Sequence, residues 1–316
     1  VSDNIWKILT HETIISIVEK TLIRPLGNLC LRRNSYVNRV YELETLDTKE
    51  RYIVKFYRPG RWTEAMIREE HRFVQQLSAE DIPVIPPLVI NNETLFMYEN
   101  IFFTVYPKKG GRAIDEFDKP TWQNIGRILA KMHIVGERHA SSERIVWRPN
   151  QVTENHATML YPLVPVTHQA SFMRVVKELI TMTEDAFAAE QLFVIHGDCH
   201  RGNFIHRPGE GIYIVDFDDM CVGPAVQDLW MLLPGTPEEC EQELAWFFEG
   251  YETFREFPRD SLNLIPALRA MRLIHFSAWC ALQRDDLDFA DHFPEWGTTQ
   301  YWGQLIRDVQ ETLTHS

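Results

Sequence analysis

The stretch His196-Gly197-Asp198-Cys199-His200-Arg201-Gly202-Asn203, followed by Asp216-Phe217-Asp218, constrains this chain more than any other. An apolar run, Leu192-Phe193-Val194-Ile195, leads into it and predicts a strand that delivers Asp198 at its mouth. A hairpin is expected next: Asn203 to Arg207, a Pro-Gly-Glu-Gly turn, then Ile212-Tyr213-Ile214-Val215 running into Asp216. Asp198, Asn203 and Asp216 then fall at neighbouring strand ends, where three oxygen-bearing side chains can converge. A surface turn rich in Asp and Asn would need no second acid at a fixed distance from the first. The combination suits phosphoryl transfer. One acid aligns or deprotonates an attacking hydroxyl, while the amide and a second acid hold Mg²⁺ against the phosphates of ATP.

A nucleotide clamp is expected upstream. Residues 10–22 read as a helix with Thr10 as N-cap and an apolar face of Ile14, Ile17, Val18 and Leu22, ended by Pro25. Residues 33–41 and 51–57 then read as two strands joined by a loop, with Lys55 on the second. No Gly-rich loop is present, so Asn34-Ser35-Tyr36 must meet the phosphates with backbone amides and the Ser35 hydroxyl. From the residues alone, Ser35 as a turn former stays equally open. From Trp62 to Leu77 an apolar stripe runs through Met66, Ile67, Phe73, Val74 and Leu77, with Glu70 near its centre and Glu69 about 100° away. A carboxylate in a core-facing stripe needs a cation, and Lys55 is the expected partner.

Residues 81–87 read as a loop, and 94–98 with 101–106 as a hairpin turned at Glu99-Asn100. Pro107 to Arg112, with its paired glycines, reads as a hinge. The expected architecture is α+β and bilobal: a small antiparallel-sheet lobe over residues 1–107 and a larger, mostly helical lobe over 108–316. In the second lobe a helix is expected from Thr121 to His133, with His133 in the core or capping. The interval 136–195 is long, and its second half, Phe172 to Phe187, reads as an amphipathic helix. Asp228, twelve positions beyond Asp216, either caps a helix or braces the loop around Asp198. Helices follow over roughly 238–256, 260–284 and 298–314, with Trp246, Phe247, Met271, Ile274 and Trp279 as core. Arg269 and Arg272 stay open between acceptor and structural contacts, and Asp218 is a candidate supplement to the metal site.

Composition narrows the partners. A net charge of −13 over 316 residues argues against nucleic acid, whose affinity comes from Lys and Arg on phosphates. Acidic clustering also requires a divalent ion before a polyphosphate can approach. No 18-residue uncharged apolar run occurs, so no membrane span is expected. The N-terminal Val-Ser-Asp-Asn-Ile-Trp-Lys lacks a signal-peptide core. The five cysteines are scattered and odd in number, which fits a reducing cytoplasm better than a disulfide frame. His196, Cys199 and His200 suggest zinc, yet no C-x-x-C or H-E-x-x-H frame supplies the remaining ligands. His196 is expected behind the loop and His200 near the phosphates.

The intervals of five residues from Asp198 to Asn203 and thirteen from Asn203 to Asp216 are those of protein kinases. The chain further resembles the bacterial stress response kinase A family, in the aminoglycoside-phosphotransferase branch of the protein-kinase-like fold. The resemblance rests on Asn34-Ser35-Tyr36-x-Asn38-Arg39-Val40-Tyr41, Val54-Lys55-Phe56-Tyr57-Arg58-Pro59-x-Arg61-Trp62 and Glu69-Glu70-His71. It continues through Gly110-Gly111-Arg112, the His196–Asn203 stretch, Gly223 to Leu233 and Pro266-x-Leu268-Arg269-Ala270-Met271-Arg272-Leu273, spanning about residues 34–273. It implies an ATP- and Mg²⁺-dependent serine/threonine protein kinase, monomeric and cytoplasmic, serving extracytoplasmic and oxidative stress. Asp198 would be the proton acceptor, Asn203 and Asp216 the Mg²⁺ ligands, and Ser35 an ATP contact. A small-molecule kinase and a nucleotide-binding pseudokinase are the alternatives.

Overall fold

Strands Leu26–Arg33 (β1), Arg39–Thr45 (β2) and Arg51–Phe56 (β3) run antiparallel in sequence order. The hairpin Phe96–Tyr98 (β4) and Ile101–Pro107 (β5) completes the sheet, in the order β1-β2-β3-β5-β4. Cys30, Leu43, Val54, Phe56, Phe103 and Val105 share a core with the helix His11–Leu22 (α1), whose Thr10 cap accepts the Thr13 amide at 3.2 Å. Of the two strands expected over 33–41 and 51–57, the second is β3, which carries Lys55, while the first starts only at Arg39 as β2 because 34–38 is loop; a further strand, β1, precedes them. The extra strand, β1, escapes the pattern because its register shifts between Leu26 and Cys30, which breaks the alternation. This computed structural model describes residues 6–314, so residues 1–5 of the N-terminal stretch inspected for a leader lie outside it.

The helix Glu64–Ala79 (α2) starts where the Thr63 hydroxyl accepts the Met66 amide. Phe73, Val74 and Leu77 belong to the large core below, whereas Ile67 packs with Tyr57 and Leu95 beside the sheet. Helix α2 therefore bridges the two halves.

The large half is mostly helical. After a short strand Arg112–Ala113 (β6) come the helices Lys119–Arg138 (α3), Glu154–Leu160 (α4) and Val166–Ala189 (α5). Four short strands follow, Phe193–Ile195 (β7), Phe204–Arg207 (β8), Gly211–Ile214 (β9) and Cys221–Gly223 (β10). Helices Gln227–Trp230 (α6), Glu241–Tyr251 (α7), Ile265–Gln283 (α8), Phe289–His292 (α9) and Thr299–Thr314 (α10) complete the chain. Trp122, Leu129, Phe172, Phe247, Met271 and Trp302 pack in one core. Helices α3 and α7 meet backbone to backbone: a Cβ at Gly126 would strike the Phe247 carbonyl, and one at Gly250 the Gln123 carbonyl. The molecule is thus α+β, as expected. All five cysteines are buried and free. Among the described residues no helix is long and apolar enough to cross a membrane.

Candidate active site

Strand β7 pairs with β10, not with the β8–β9 hairpin, which pairs with β6 instead. Asp198 and Asp216 therefore leave separate sheets, yet the segments that follow β7 and β9 are neighbours, as expected, and the two carboxylates line one cavity. A single bond, Val215 N–H to the Asn203 carbonyl at 2.9 Å, fixes Asn203 beside the strand end that carries Asp216. The loop before Asp198 is braced by Asp228, whose Oδ2 and Oδ1 accept the His196 and Gly197 amides at 2.8 Å each. Asp228 does not merely cap α6. Gly197 is held at φ +83°, and a Cβ there would collide with the Asp219 carbonyl, so a side chain is excluded. Behind Asp228 stands His133, buried as expected, with Nε2 3.1 Å from Asp228 Oδ2 and Nδ1 2.9 Å from the Tyr251 hydroxyl. Burial holds His133 below its ordinary pKa despite Asp228, so the neutral ring donates from Nε2 and accepts at Nδ1. His196 is buried behind the loop, its Nε2 donating to the Val215 carbonyl at 3.0 Å.

Asp198 forms an ion pair with Arg272, whose Nη2 lies 2.8 Å from Oδ1, and His200 Nε2 stands 3.6 Å from Oδ2. Arg272 therefore belongs to the site, whereas Arg269 donates to the Gly235 carbonyl at 2.7 Å. Asn203 Nδ2 donates to the Asp198 carbonyl at 2.9 Å, which leaves its amide oxygen as the free acceptor. Asp216 adopts φ +66°, a left-handed conformation that a non-glycine residue holds only under strain, and its side chain is 56% exposed. An amide oxygen and an exposed carboxylate are hard donors, few in number, which fits Mg²⁺ shared with phosphate oxygens.

Lys55 and Glu70 do not form the expected pair; among the described residues no ion pair joins them. Lys55 Nζ pairs with Asp218 and stands 3.3 Å from Asp216 Oδ1. Burial disfavours its charge, but Asp218, Asp216 and Glu70 together hold the ammonium well above its ordinary pKa. Glu70 instead meets Arg144, whose Nη2 lies 3.2 Å from Oε2, both side chains being almost wholly buried. Burial pushes the Glu70 carboxyl up to about 7, repulsion from Asp218 adding to it. A buried carboxylate takes the cation nearest to it, and Arg144 is fixed there by Trp62, 4.9 Å beneath its guanidinium, and by the Asp218 carbonyl at 2.8 Å. Glu69, off the apolar stripe, is also buried, accepting the Ser142 and Glu143 amides at 3.4 and 3.1 Å. Arg144 gives no signal in the sequence, because an Arg in the irregular stretch between α3 and α4 follows no periodicity. Asp218 is spent on Lys55 and on Asn38 Nδ2 at 2.6 Å, and Asp219 on Arg61 at 2.6 Å.

Two cavities meet at Ser35 and Asp216. One, about 330 Å³, is lined by Val40, Lys55, Glu70, Tyr106 and Phe217. The other, about 370 Å³, is lined by Asp198, Asp218, Arg272, Phe276 and Trp279. Trp279 is thus a cavity wall rather than core. Asn203, buried, lines neither.

A family model described as "Phosphotransferase enzyme family" matches residues 30–274. Stress response kinase A of Escherichia coli (strain K12) is 38% identical over 277 residues, 85% of this chain and 82% of that protein. Serine/threonine protein kinase RdoA of Salmonella typhimurium (strain LT2) is 35% identical over the same shares of the two chains. Among solved structures, amicoumacin kinase hAmiN in complex with AMP-PNP, Ca²⁺ and Ami superposes with a TM-score of 0.78 at 18% identity, covering 100% of this chain and 97% of that one. A matched model over most of the chain, together with relatives of this identity over 85% of it, places the sequence: it belongs to the phosphotransferase enzyme family, among its stress response kinase A members.

Proposed function

We propose that this chain is an ATP- and Mg²⁺-dependent kinase that transfers the γ-phosphoryl group to a Ser or Thr hydroxyl of a protein, as a cytoplasmic monomer in a bacterial stress response. The observation that carries it is the pair of cavities joined at Asp216, one holding Lys55 and the other Asp198. ATP occupies the Lys55 cavity, its adenine end against Val40, Tyr106 and Phe217, with Ser35 at the phosphates. Residues 1–107 form the nucleotide clamp and 108–316 the catalytic part. Asn203 Oδ1 and the Asp216 carboxylate would hold a Mg²⁺, which would neutralise charge on the phosphate oxygens. From the other cavity Asp198 orients the acceptor hydroxyl and takes its proton. The hydroxyl oxygen bonds to the γ-phosphorus, the bond to the β–γ bridging oxygen breaks, and ADP leaves with that electron pair. The Salmonella relative, a serine/threonine protein kinase by name, supports a protein acceptor.

A small hydroxyl compound as acceptor is the second reading. Only eleven positions separate Asp216 from Gln227 at the start of α6, which leaves no extended platform for peptide, and the structurally similar hAmiN is an amicoumacin kinase. Labelled ATP offered with protein acceptors, and separately with a panel of amino alcohols and sugars, separates the two. Labelling of protein that vanishes in Asp198→Ala is the expected result. Labelling of metabolites alone would overturn the protein reading. Nucleotide binding without turnover would leave a pseudokinase.

A further inference from the structure

Tyr36 stands between two open spaces. It lies in the loop joining β1 to β2, its ring centroid 5.5 Å from Trp279, 5.1 Å from His292 and 5.7 Å from Phe293. These rings come from α8, α9 and the residue after α9, so the loop of the small sheet is seated on the helical half. Arg58 helps to tie the halves there, with Nη2 and Nη1 donating to the two Asp286 oxygens at 2.6 and 2.7 Å. On one side of Tyr36 is the cavity that holds Asp198. On the other is an outer cavity of about 440 Å³, bordered by Arg32, Arg39, Asp288 and His292. Asn34, Ser35 and Tyr36 line both.

The seat is apolar but imperfect. Among the described residues the buried Tyr36 hydroxyl has no hydrogen-bond partner, and an unsatisfied buried hydroxyl costs stability that a phenyl ring would not. The ring therefore gains from aromatic contact and loses from its hydroxyl, which makes the seated position easy to leave.

We propose that Tyr36 is the gate that selects the acceptor: seated, it confines the Asp198 cavity to a small hydroxyl compound, and withdrawn, it joins that cavity to the outer one and admits an extended polypeptide. This rests on the reading of the Asp198 cavity as the acceptor site. An extended chain advances about 3.3 Å per residue, so a Ser or Thr presented at Asp198 needs room for its neighbours on both sides. The merged space provides that room, which the eleven positions between Asp216 and Gln227 do not.

Two variants push the gate in opposite directions. Tyr36→Ala empties the seat; Tyr36→Phe keeps the ring and removes the unsatisfied hydroxyl. The measurement is transfer of labelled phosphate to dephosphorylated casein, divided by phosphate released to water, with thermal unfolding followed alongside. Tyr36→Ala is expected to raise the ratio and Tyr36→Phe to lower it, each by about fivefold, the factor that one unsatisfied buried group supplies. If both variants alter casein labelling and hydrolysis by the same factor, the gate is wrong while the kinase reading stands. If wild type and Tyr36→Ala both hydrolyse ATP and neither labels casein, the protein-acceptor reading falls and the gate with it. Should Tyr36→Ala fail to fold, an unchanged ratio in Tyr36→Phe overturns the proposal by itself.

Discussion

Arg272 Nη2 lies 2.8 Å from Asp198 Oδ1, so a side chain on α8 holds the carboxylate at the end of the β7 loop. The pair is partly solvated, at 33% and 20% exposure, and contributes little to folding. Its value is positional. Arg272→Gln is expected to lower kcat by about tenfold to a hundredfold, the scale of a small misplacement of a reacting group. KM for ATP and Tm should move little. Steady-state kinetics with thermal unfolding checks this, and an unchanged kcat would remove Arg272 from the site.

Asp228→Asn tests the brace. The two amides of His196 and Gly197 would face one oxygen and one NH₂ group, leaving a buried donor opposed by a donor. A loss of about 1–3 kcal/mol in stability is expected, because Asp228 is fully buried. Phosphotransfer should fall further than the loss of folded protein explains. Urea unfolding and turnover per folded molecule provide the comparison.

The Asp198 cavity also contains Asp216, Asp218 and Asp219. Unit charges about 4 Å apart interact by roughly 4 kcal/mol at an effective dielectric near 20, so free ATP meets substantial repulsion. Binding of ATP with Mg²⁺ is expected to exceed binding in EDTA by about tenfold or more, the smaller factor reflecting compensation by Lys55 and Arg61. Equal affinities by calorimetry would contradict the metal-dependent site.

His71 sets part of the acid sensitivity. It is buried between the Tyr57 hydroxyl at 3.0 Å and the Thr94 hydroxyl at 2.9 Å, and burial lowers its pKa from 6.5 to about 3. Below pH 6.5 the unfolded chain takes up a proton that the folded chain refuses. Stability from this residue is complete above pH 6.5 and is lost as pH falls toward 3. The loss is about 1.4 kcal/mol per pH unit. His71→Gln should show a shallower decline of the urea midpoint across that window; an identical slope would show that His71 does not stay neutral.

Gly250→Ala places a methyl group against the Gln123 carbonyl where α3 and α7 touch. Backbone cannot yield as a flexible side chain can, so a cost of about 1–3 kcal/mol is expected. Differential scanning calorimetry should show a lower Tm with ATP binding retained at low temperature. A wild-type Tm would mean that the helices can separate without penalty.

The local features were legible because each follows from its own stretch of chain. Thr10 capping α1, the hairpin turned at Glu99-Asn100, and the β8–β9 hairpin ending in Asp216 are short-range matters of capping, turn chemistry and alternation. Glu70 facing the cleft follows from helical periodicity in the same way. The long interval 136–195 was legible only in its second half, since α4 is too short to show a period and Arg144 belongs to none.

By itself the sequence determined the mixed architecture, the spacing of Asp198, Asn203 and Asp216, and the family. Which charges meet was settled by the fold. Lys55 pairs with Asp218 rather than Glu70, Glu70 with Arg144, Asp198 with Arg272, and the Asp228 carboxylate turns to the 196–197 amides. Each of these joins segments tens of residues or more apart. A desolvated ion takes the partner that packing brings nearest, and that distance exists only once the chain has closed on itself.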